Sequence, residues 1–460
     1  MGRLFGTDGV RGIANEELTC ERAMQIGRAA AEVLSSGRRY YPTVLVGMDT
    51  RISSEMLASA LTAGLCSVGA DVIDLGVVPT PAVAYLVGKY KAHAGVMISA
   101  SHNPYEFNGI KIFNEDGYKL EDELEERIES VVLDGKPEPK MATPENIGRV
   151  TRAQNAVKDY IDHLKSTALY SLDGMNIALD CANGSASRTA KLLFEGLGAT
   201  CHMLHDEPNG TNINNNCGST HLENLREYVL ANKLDAGIAF DGDADRCLCI
   251  NDEGKDVDGD MIMAIAALDM KARGKLGKNT VVGTIMTNFG FTKFCADNDI
   301  RFVATKVGDR YVLEEMLLED YYLGGEQSGH IIFRDFSTTG DGQLTAVQIL
   351  SQLKRTGEKL SEAAKVMTRY PQFIVNIPCT SEKKVAFYTD YEVKSIIEDA
   401  KKEIGDSGRL IARPSGTEPL IRVMAEGDDS ENIERIAEET AEKLARQLDS
   451  YNQKRETDIG

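Results

Sequence analysis

No run of residues approaches the roughly 20 consecutive apolar positions that a membrane-spanning helix requires. The opening MGRLFGTDGVRG also lacks the apolar core of a secretory signal. Both absences point to a cytoplasmic chain. Disulfide staples are not expected, because the nine cysteines are odd in number and scattered, and none forms a Cys-x-x-Cys pair. Six of them (Cys66, Cys181, Cys201, Cys247, Cys249 and Cys379) lie in apolar or strand-like surroundings and read as reduced core residues. Positive charge is in deficit too. With 51 Lys and Arg against 71 Asp and Glu, a net charge of −20 repels nucleic acid and anionic membranes. A basic cluster in such a chain works against the global field and marks a candidate anion site.

What is present is the composition of a globular protein, 42% hydrophobic and 27% charged. At 460 residues the chain is too long for one core, and three or four domains are expected. Three stretches share one plan of apolar strand, small or polar turn, amphipathic helix and second strand. They begin at TVLVGMDTRISS, NIALDCANGSAS and NTVVGTIMTNFG. After each comes a further apolar strand that runs into a polar motif: AGVMIS into Ala100-Ser101-His102-Asn103-Pro104, AGIAF into Asp241-Gly242-Asp243-Ala244-Asp245-Arg246, and YYLGG into Glu326-Gln327-Ser328-Gly329-His330. Ligand groups in α/β sheets collect outside the carboxyl ends of strands, so three such endings predict three related doubly wound α/β domains facing one cleft. From about Met367 the pattern changes to a smaller mixed sheet-plus-helix domain, with SYNQKRETDIG as a frayed polar tail. Boundaries are expected near Ala153, Glu253 and Val366, dividing the chain into 1–153, 154–253, 254–366 and 367–460.

Asp241, Asp243 and Asp245 alternate, and an extended backbone points residues of period two the same way. Three crowded carboxylates call for a cation, and few, hard oxygen ligands suit Mg²⁺. An EF-hand is excluded because it needs Gly where Arg246 stands and Glu where Asp252 stands. A solvated acidic turn is the plain alternative, but the preceding strand is apolar and Arg246 is at hand to orient the carboxylates. Ser101 alone reads as a turn residue. A Ser-His dyad with His102 is disfavoured because neighbouring side chains on an extended segment diverge. Phosphorylation offers another role, since a phosphoserine would supply an oxygen to a metal held by the aspartates.

Arg413-Pro414-Ser415-Gly416-Thr417, with Arg422 on the next strand, has the make-up of an anion cradle; a polar turn is the alternative. Glu326 and Ser328 could meet vicinal sugar hydroxyls, and His330 is more often a structural histidine than a catalyst. Lys111 and Arg11 are the candidates for moving a proton. Lysine is the better of the two, because its pKa can be tuned down, with Arg11 expected to help hold it low.

Taken together, FGTDGVRG, ISASHNP, NGIK, DGDADR, VGDRYV, GGEQSGHIIF, TTGDG and RPSGTEPLIRVMAE resemble, in this order and over nearly the whole chain, the α-D-phosphohexomutase superfamily. The likeness is nearest to its bacterial phosphoglucosamine mutase branch. The resemblance implies three doubly wound α/β domains and a smaller C-terminal α+β domain around a central cleft. It implies that Ser101 is a phosphoserine, primed by a hexose 1,6-bisphosphate or a kinase, and that Ser101, Asp241, Asp243 and Asp245 hold one Mg²⁺. Lys111 and Arg11 are then the proton-transfer candidates. Arg246, Glu326, Ser328 and His330 fall to the sugar side, and Arg413, Ser415, Gly416, Thr417 and Arg422 to the distal phosphate. The implied activity is interconversion of glucosamine 6-phosphate and glucosamine 1-phosphate through a 1,6-bisphosphate, feeding UDP-N-acetylglucosamine synthesis. Gln327 in GEQSGH resembles the glucosamine branch, whereas a phosphomannomutase or phosphoglucomutase would use the same apparatus. The partner expected is a small hexosamine phosphate, not nucleic acid or membrane, and a homodimer is compatible with these motifs.

Overall fold

The computed structural model describes residues 3–6, 8–35, 41–415 and 419–459. The chain divides into two compact units, Met1–Thr287 with Asn298–Val366, and Asn288–Asp297 with Met367–Gly460. Among the described residues no helix is long and apolar enough to cross a membrane.

Three α/β sheets make up most of the first unit, and their strand orders reveal one plan used three times. In the first sheet the strands Asp71–Val77, Thr43–Met48 and Ala94–Ile98 run parallel, and Phe107–Phe113 then pairs antiparallel to Ala94–Ile98. In the second, Thr200–Leu204, Asn176–Asp180 and Ala236–Phe240 are parallel and Cys247–Asn251 returns antiparallel. In the third, Arg301–Thr305, Thr280–Thr284 and Leu323–Gly325 are followed by antiparallel Ile331–Phe333. The first sheet adds Val10–Ile13 at one edge and Val150–Arg152 at the other.

The expected repeat is therefore present, with one addition: each polar motif is the turn of a hairpin, which makes the sheets mixed. The physical reason is the fourth strand. Antiparallel neighbours can be joined by a short turn, whereas parallel ones need a crossover. The fully buried strands Ala94–Ile98 and Ala236–Phe240 are continuous apolar runs, as expected for strands covered on both faces.

The second unit is a three-stranded antiparallel sheet, Gln372–Pro378, Leu420–Gly427 and Gly408–Pro414, covered by the helices Ser381–Thr389, Tyr391–Ile404 and Ser430–Ile459. The last helix continues through the stretch expected to fray. Two contacts lie across the expected boundaries. Asp256–Val257 pairs with Cys249 and Ile250, so the second sheet runs just past Glu253. Residues 288–297, expected in the third α/β domain, belong to the second unit. There the buried Glu426 carboxylate accepts hydrogen bonds from Asn288 Nδ2 and the Phe289 backbone N–H, both at 3.2 Å. No local pattern announces such a long-range anchor.

All nine cysteines are free thiols. Cys181, Cys247, Cys249 and Cys379 are buried as expected, while Cys66 and Cys201 are half-buried.

Arg310 ties the first and third α/β layers together. Its guanidinium meets Asp122, Glu125 (3.4 Å) and the Leu120 carbonyl (3.3 Å). Burial, with Asp122 beside it, pushes the Glu125 carboxyl up to about 7 against the pull of Arg310. Below the unfolded value near 4.5 both states hold the proton. Between 4.5 and about 7 the unfolded chain releases it first, so this site costs stability as pH rises through that window. The thermal midpoint of Glu125→Gln, measured against the parent by calorimetry from pH 5 to 8, is expected to gain on the parent as pH rises. A gap that is constant or shrinks contradicts the assignment.

Candidate active site

The first two hairpin turns meet. Ser101 leaves the buried strand Ala94–Ile98 in the left-handed region (φ 53°), a conformation that costs a non-glycine residue about 1 kcal/mol or more unless its surroundings impose it. Here they do. Ser101 N donates to Ser99 Oγ (3.0 Å), and Ser99 Oγ in turn donates to Asp49 (2.7 Å). Arg51, fully buried in an ion pair with Asp49 at 2.8 Å, donates to the carbonyls of Ser101 and Asn103 (2.9 Å each), Phe107 (3.0 Å) and Pro104. The result aims Ser101 Oγ at Asp241, to which it donates at 2.6 Å across 140 residues of sequence. The same left-handed turn brings His102 Nδ1 to 3.4 Å from Oγ. The divergence expected of an extended segment does not apply, because this segment is not extended. Burial, with Arg246 and Arg11 nearby, lowers the His102 pKa to about 4 and keeps the ring neutral.

The three aspartates converge, though not by strand alternation. Residues 241–246 form a tight turn with Ala244 left-handed (φ 56°), and carboxylate atoms of Asp241, Asp243 and Asp245 lie within 4.8 Å of one another. All three are buried. Burial, then the neighbouring Asp245 and Asp243, pushes the Asp241 carboxyl well above its ordinary range. The Oδ1 atoms of Asp243 and Asp245 are buried and make no hydrogen bond. Crowded hard oxygens with buried lone pairs left over are the donor set of a divalent cation, so the residues fit a metal site. Arg246 contributes its backbone N–H to Asp241 Oδ1 (3.2 Å), and its guanidinium lies 3.9 Å from Asp245.

Lys111, on the returning strand of the first hairpin, is the counter-charge. Its Nζ is 2.8 Å from Asp243, 3.0 Å from Asp8 and 3.5 Å from Asp245. Burial works to lower its pKa, but the three carboxylates outweigh both burial and Arg11 and hold it well above its usual value. The expectation that Arg11 keeps Lys111 low is thus corrected. Arg11 pushes in that direction, but its guanidinium is bonded to Asp8, and carboxylates surround the lysine.

Beyond Lys111 the polar groups close into a circuit. Asp8 also binds Lys119, Lys119 binds Asp309, Asp309 lies 3.4 Å from His330, His330 lies 3.7 Å from Asp245, and Asp245 faces Lys111. Acidic and basic groups alternate around it, which is how buried charges are tolerated. His330, expected on the sugar side, is buried between Asp245 and Asp309. Burial works to lower its pKa, and those two carboxylates more than offset it. Glu326, in the turn of the third hairpin, accepts from Gly308 N at 3.1 Å, and burial raises its carboxyl despite His330 and Arg246. Ser328 is half-buried in the same turn.

In the second unit Arg413 and Arg422 are direct partners across the ladder between their strands. Burial, then the Arg422 charge, lowers the Arg413 pKa, and its Nε is buried without a partner. Like charges directly opposite one another destabilise a sheet unless an anion joins them. Ser415 follows Arg413, and Lys384 Nζ donates to the Ser415 carbonyl at 2.7 Å. Gly416 and Thr417 lie outside the described residues.

Reading the residues in order misses Arg51, Asp8, Lys119, Asp309 and Lys384. Asp8 and Asp309 stand inside the motifs GTDG and VGDR, so a signal existed for them. Arg51 follows a strand end in MDTR, where nothing marks it as a loop clamp. A second mixed cluster, Asp180, His205 and Cys217, also lies within 4.8 Å. Its carboxylate is already engaged by Ala182 N (2.9 Å), Gly218 N (3.0 Å) and His205 Nδ1 (3.0 Å). Burial and Asp180 push the Cys217 thiol up to about 12. The group braces a loop.

Four models of one family match the chain: phosphoglucomutase/phosphomannomutase α/β/α domain I over residues 2–138, domain II over 158–254, domain III over 258–370 and the C-terminal domain over 374–443. The phosphoglucosamine mutase of Acetivibrio thermocellus is 52% identical over 448 residues, 97% of this chain and 100% of that one. That of Caldanaerobacter subterraneus is 53% identical with the same coverage. A phosphoglucomutase/phosphomannomutase family protein of Burkholderia thailandensis superposes with a TM-score of 0.82 at 21% identity, over 98% of each chain. The Aspergillus fumigatus N-acetylphosphoglucosamine mutase in complex with GlcNAc-6P and magnesium does so with 0.71 at 16% identity, over 97% of this chain and 96% of that one. The two structural likenesses bear on the fold, and the family models and curated relatives on descent: the chain belongs to the phosphoglucomutase/phosphomannomutase family.

Proposed function

We propose that the chain is a phosphoglucosamine mutase, with Ser101 as its phosphoryl carrier. The observation that carries this reading is the 2.6 Å contact between Ser101 Oγ and Asp241 inside a buried triad of carboxylates. A serine held there with its oxygen among cation ligands suits giving and taking a phosphoryl group. Transfer runs from phosphoserine 101 to the free hydroxyl of glucosamine 6-phosphate, giving a 1,6-bisphosphate. The sugar then turns, its other phosphate returns to Ser101, and glucosamine 1-phosphate leaves. Each half-reaction makes one P–O bond and breaks another, so no phosphate is lost.

Ser101, Asp241, Asp243 and Asp245 would hold Mg²⁺, which when bound neutralises charge on the transferring phosphoryl group. Lys111, kept cationic by its carboxylate neighbours, places a second positive charge at that group, delivers a proton to the departing Ser101 oxygen and recovers one from the attacking sugar hydroxyl. Arg11, bonded to Asp8, holds that carboxylate against Lys111. Glu326 and Ser328 are assigned to the sugar hydroxyls, and Arg246 and His330 to holding the aspartates. In the second unit Arg413, Ser415 and Arg422, with Gly416 and Thr417 next to them in sequence, are assigned to the distal phosphate. That second anion site favours a mutase over a metal-dependent phosphatase, which needs only one.

The domain division proposed is 1–153, 154–257, 258–366 without 288–297, and 367–460 with 288–297. Exclusion of water from Ser101 is part of this reading, because water would intercept the phosphoserine and the bisphosphate.

The deciding experiment follows phosphate on Ser101 by mass spectrometry and compares glucosamine, glucose and mannose 6-phosphates as substrates. Ser101→Ala is expected to lower kcat about a thousandfold or more with an unchanged circular dichroism spectrum. Parental activity in that variant, or release of inorganic phosphate without the 1-phosphate, overturns the reading.

Two further outcomes are expected. Asp243→Asn weakens binding of Mn²⁺, used as a spectroscopic probe for the Mg²⁺ site, by about tenfold or more in an electron paramagnetic resonance titration. Arg413→Met raises KM for the sugar phosphate about tenfold while leaving phosphate on Ser101 intact. An unchanged KM would remove the second-unit anion site.

A further inference from the structure

The Ser101 loop is gripped from one side by Arg51 of its own sheet. A second grip comes from the other sheet. Asn214, on the connection that follows the strand Thr200–Leu204, donates its Nδ2 to the carbonyls of Ser101 and Asn103, each at 2.9 Å. These are the same two carbonyls that Arg51 Nη2 binds, also at 2.9 Å each. The Ser101 carbonyl further lies against Gly242, between the first two aspartates, where an added Cβ would come within 2.5 Å of it. One carbonyl oxygen thus sets the register between the nucleophile's turn and the aspartate turn.

We propose that Asn214 is a positioning residue for phosphoryl transfer, clamping the Ser101 turn onto the aspartate turn so that Oγ stays aimed at the metal ligands. The assignment rests on the mutase reading of Ser101.

Three observations support it. First, Ser101 is left-handed at φ 53°, so without partners on its carbonyl the turn relaxes toward negative φ and carries Oγ away from Asp241. Second, a phosphoserine brings nearly two negative charges beside three carboxylates. That repulsion pushes the turn outward, and a grip from the aspartates' own sheet opposes it. Third, Asn214 is itself built in. It is left-handed (φ 58°), which asparagine tolerates, and its N–H donates to the Ala182 carbonyl at 2.9 Å. The loop is pinned further along where Gly218 N donates to Asp180, the carboxylate that also meets His205. The Asp180 cluster, which has no part in the chemistry, thereby fixes the residue that does the clamping.

The test uses Asn214→Asp, which keeps the shape and left-handed tolerance but replaces both donors by an acceptor, and Asn214→Gly, which keeps the backbone conformation and removes the side chain. Full-length parent and variants are primed with glucose 1,6-bisphosphate. kcat and KM for glucosamine 6-phosphate, the half-life of phosphate on Ser101 by mass spectrometry, and the thermal midpoint are then measured. The expected result in both variants is a kcat lowered about tenfold or more, KM within about twofold of the parent, and a shortened phosphoserine half-life. A residue that only supports the fold would lower the thermal midpoint and leave kcat and the half-life parental at 20 °C or so. That outcome overturns the proposal, as does a raised KM with kcat intact. Should Asn214→Asp fail to fold, Asn214→Gly alone decides. A parent that neither carries phosphate on Ser101 nor turns over any sugar phosphate sinks the mutase reading and this inference together; an active parent with parental variants sinks only the inference.

Discussion

Three carboxylates buried within 4.8 Å of one another, one of them 2.6 Å from a serine hydroxyl, form the contact to which the surrounding architecture answers. Such a cluster is unstable by itself. Burial and mutual repulsion push Asp241 toward its protonated form, while Asp245 is held ionised by Lys111, His330 and Arg246 against the same burial. One site therefore contains carboxyls driven in opposite directions by their neighbours, the arrangement from which acid, base and metal-binding roles are made. The lysine that balances it sits on the returning strand of the very hairpin whose turn carries Ser101. Ser101 and its counter-charge consequently belong to one hairpin.

The threefold plan explains how such a site is assembled. Each α/β layer ends its parallel strands in a hairpin turn, and each turn is free to carry chemistry because the strands on either side of it are fully paired. One turn supplies Ser101, the second the aspartates, and the third Glu326, Ser328 and His330. The circuit through Asp8, Lys119 and Asp309 then joins the layers with charges that are each partnered, so burial costs little beyond what the partners return. Arg51 and Asn214 perform the same service for a carbonyl that the circuit performs for the carboxylates.

The second unit follows a separate logic. Its sheet is antiparallel, its core is its own, and it places two arginines opposite each other on neighbouring strands. In a chain of net charge −20 that pair is a local concentration of positive charge. Its buried Glu426 recruits residues 288–297 out of the third layer's sequence, so domain membership follows hydrogen bonding rather than chain order.

The sequence by itself determined the threefold strand and helix plan, the position of each polar motif at a strand's end, the residue types on which the proposed nucleophile and metal site rest, and the arginines of the last sheet. All of these are written in short-range periodicity and in contiguous motifs such as ASHNP and DGDADR. Tertiary structure alone decided that the aspartates converge through a left-handed turn, that Ser101 faces Asp241, that Lys111 is held high rather than low, and that Arg51 and Asn214 grip one carbonyl from two sheets. The reason for all but the aspartate turn is range: a backbone's local preferences act over a few residues, whereas the contacts of Ser101 join positions 50 to 140 apart, and the pKa of a buried group is set by whichever charges folding brings against it.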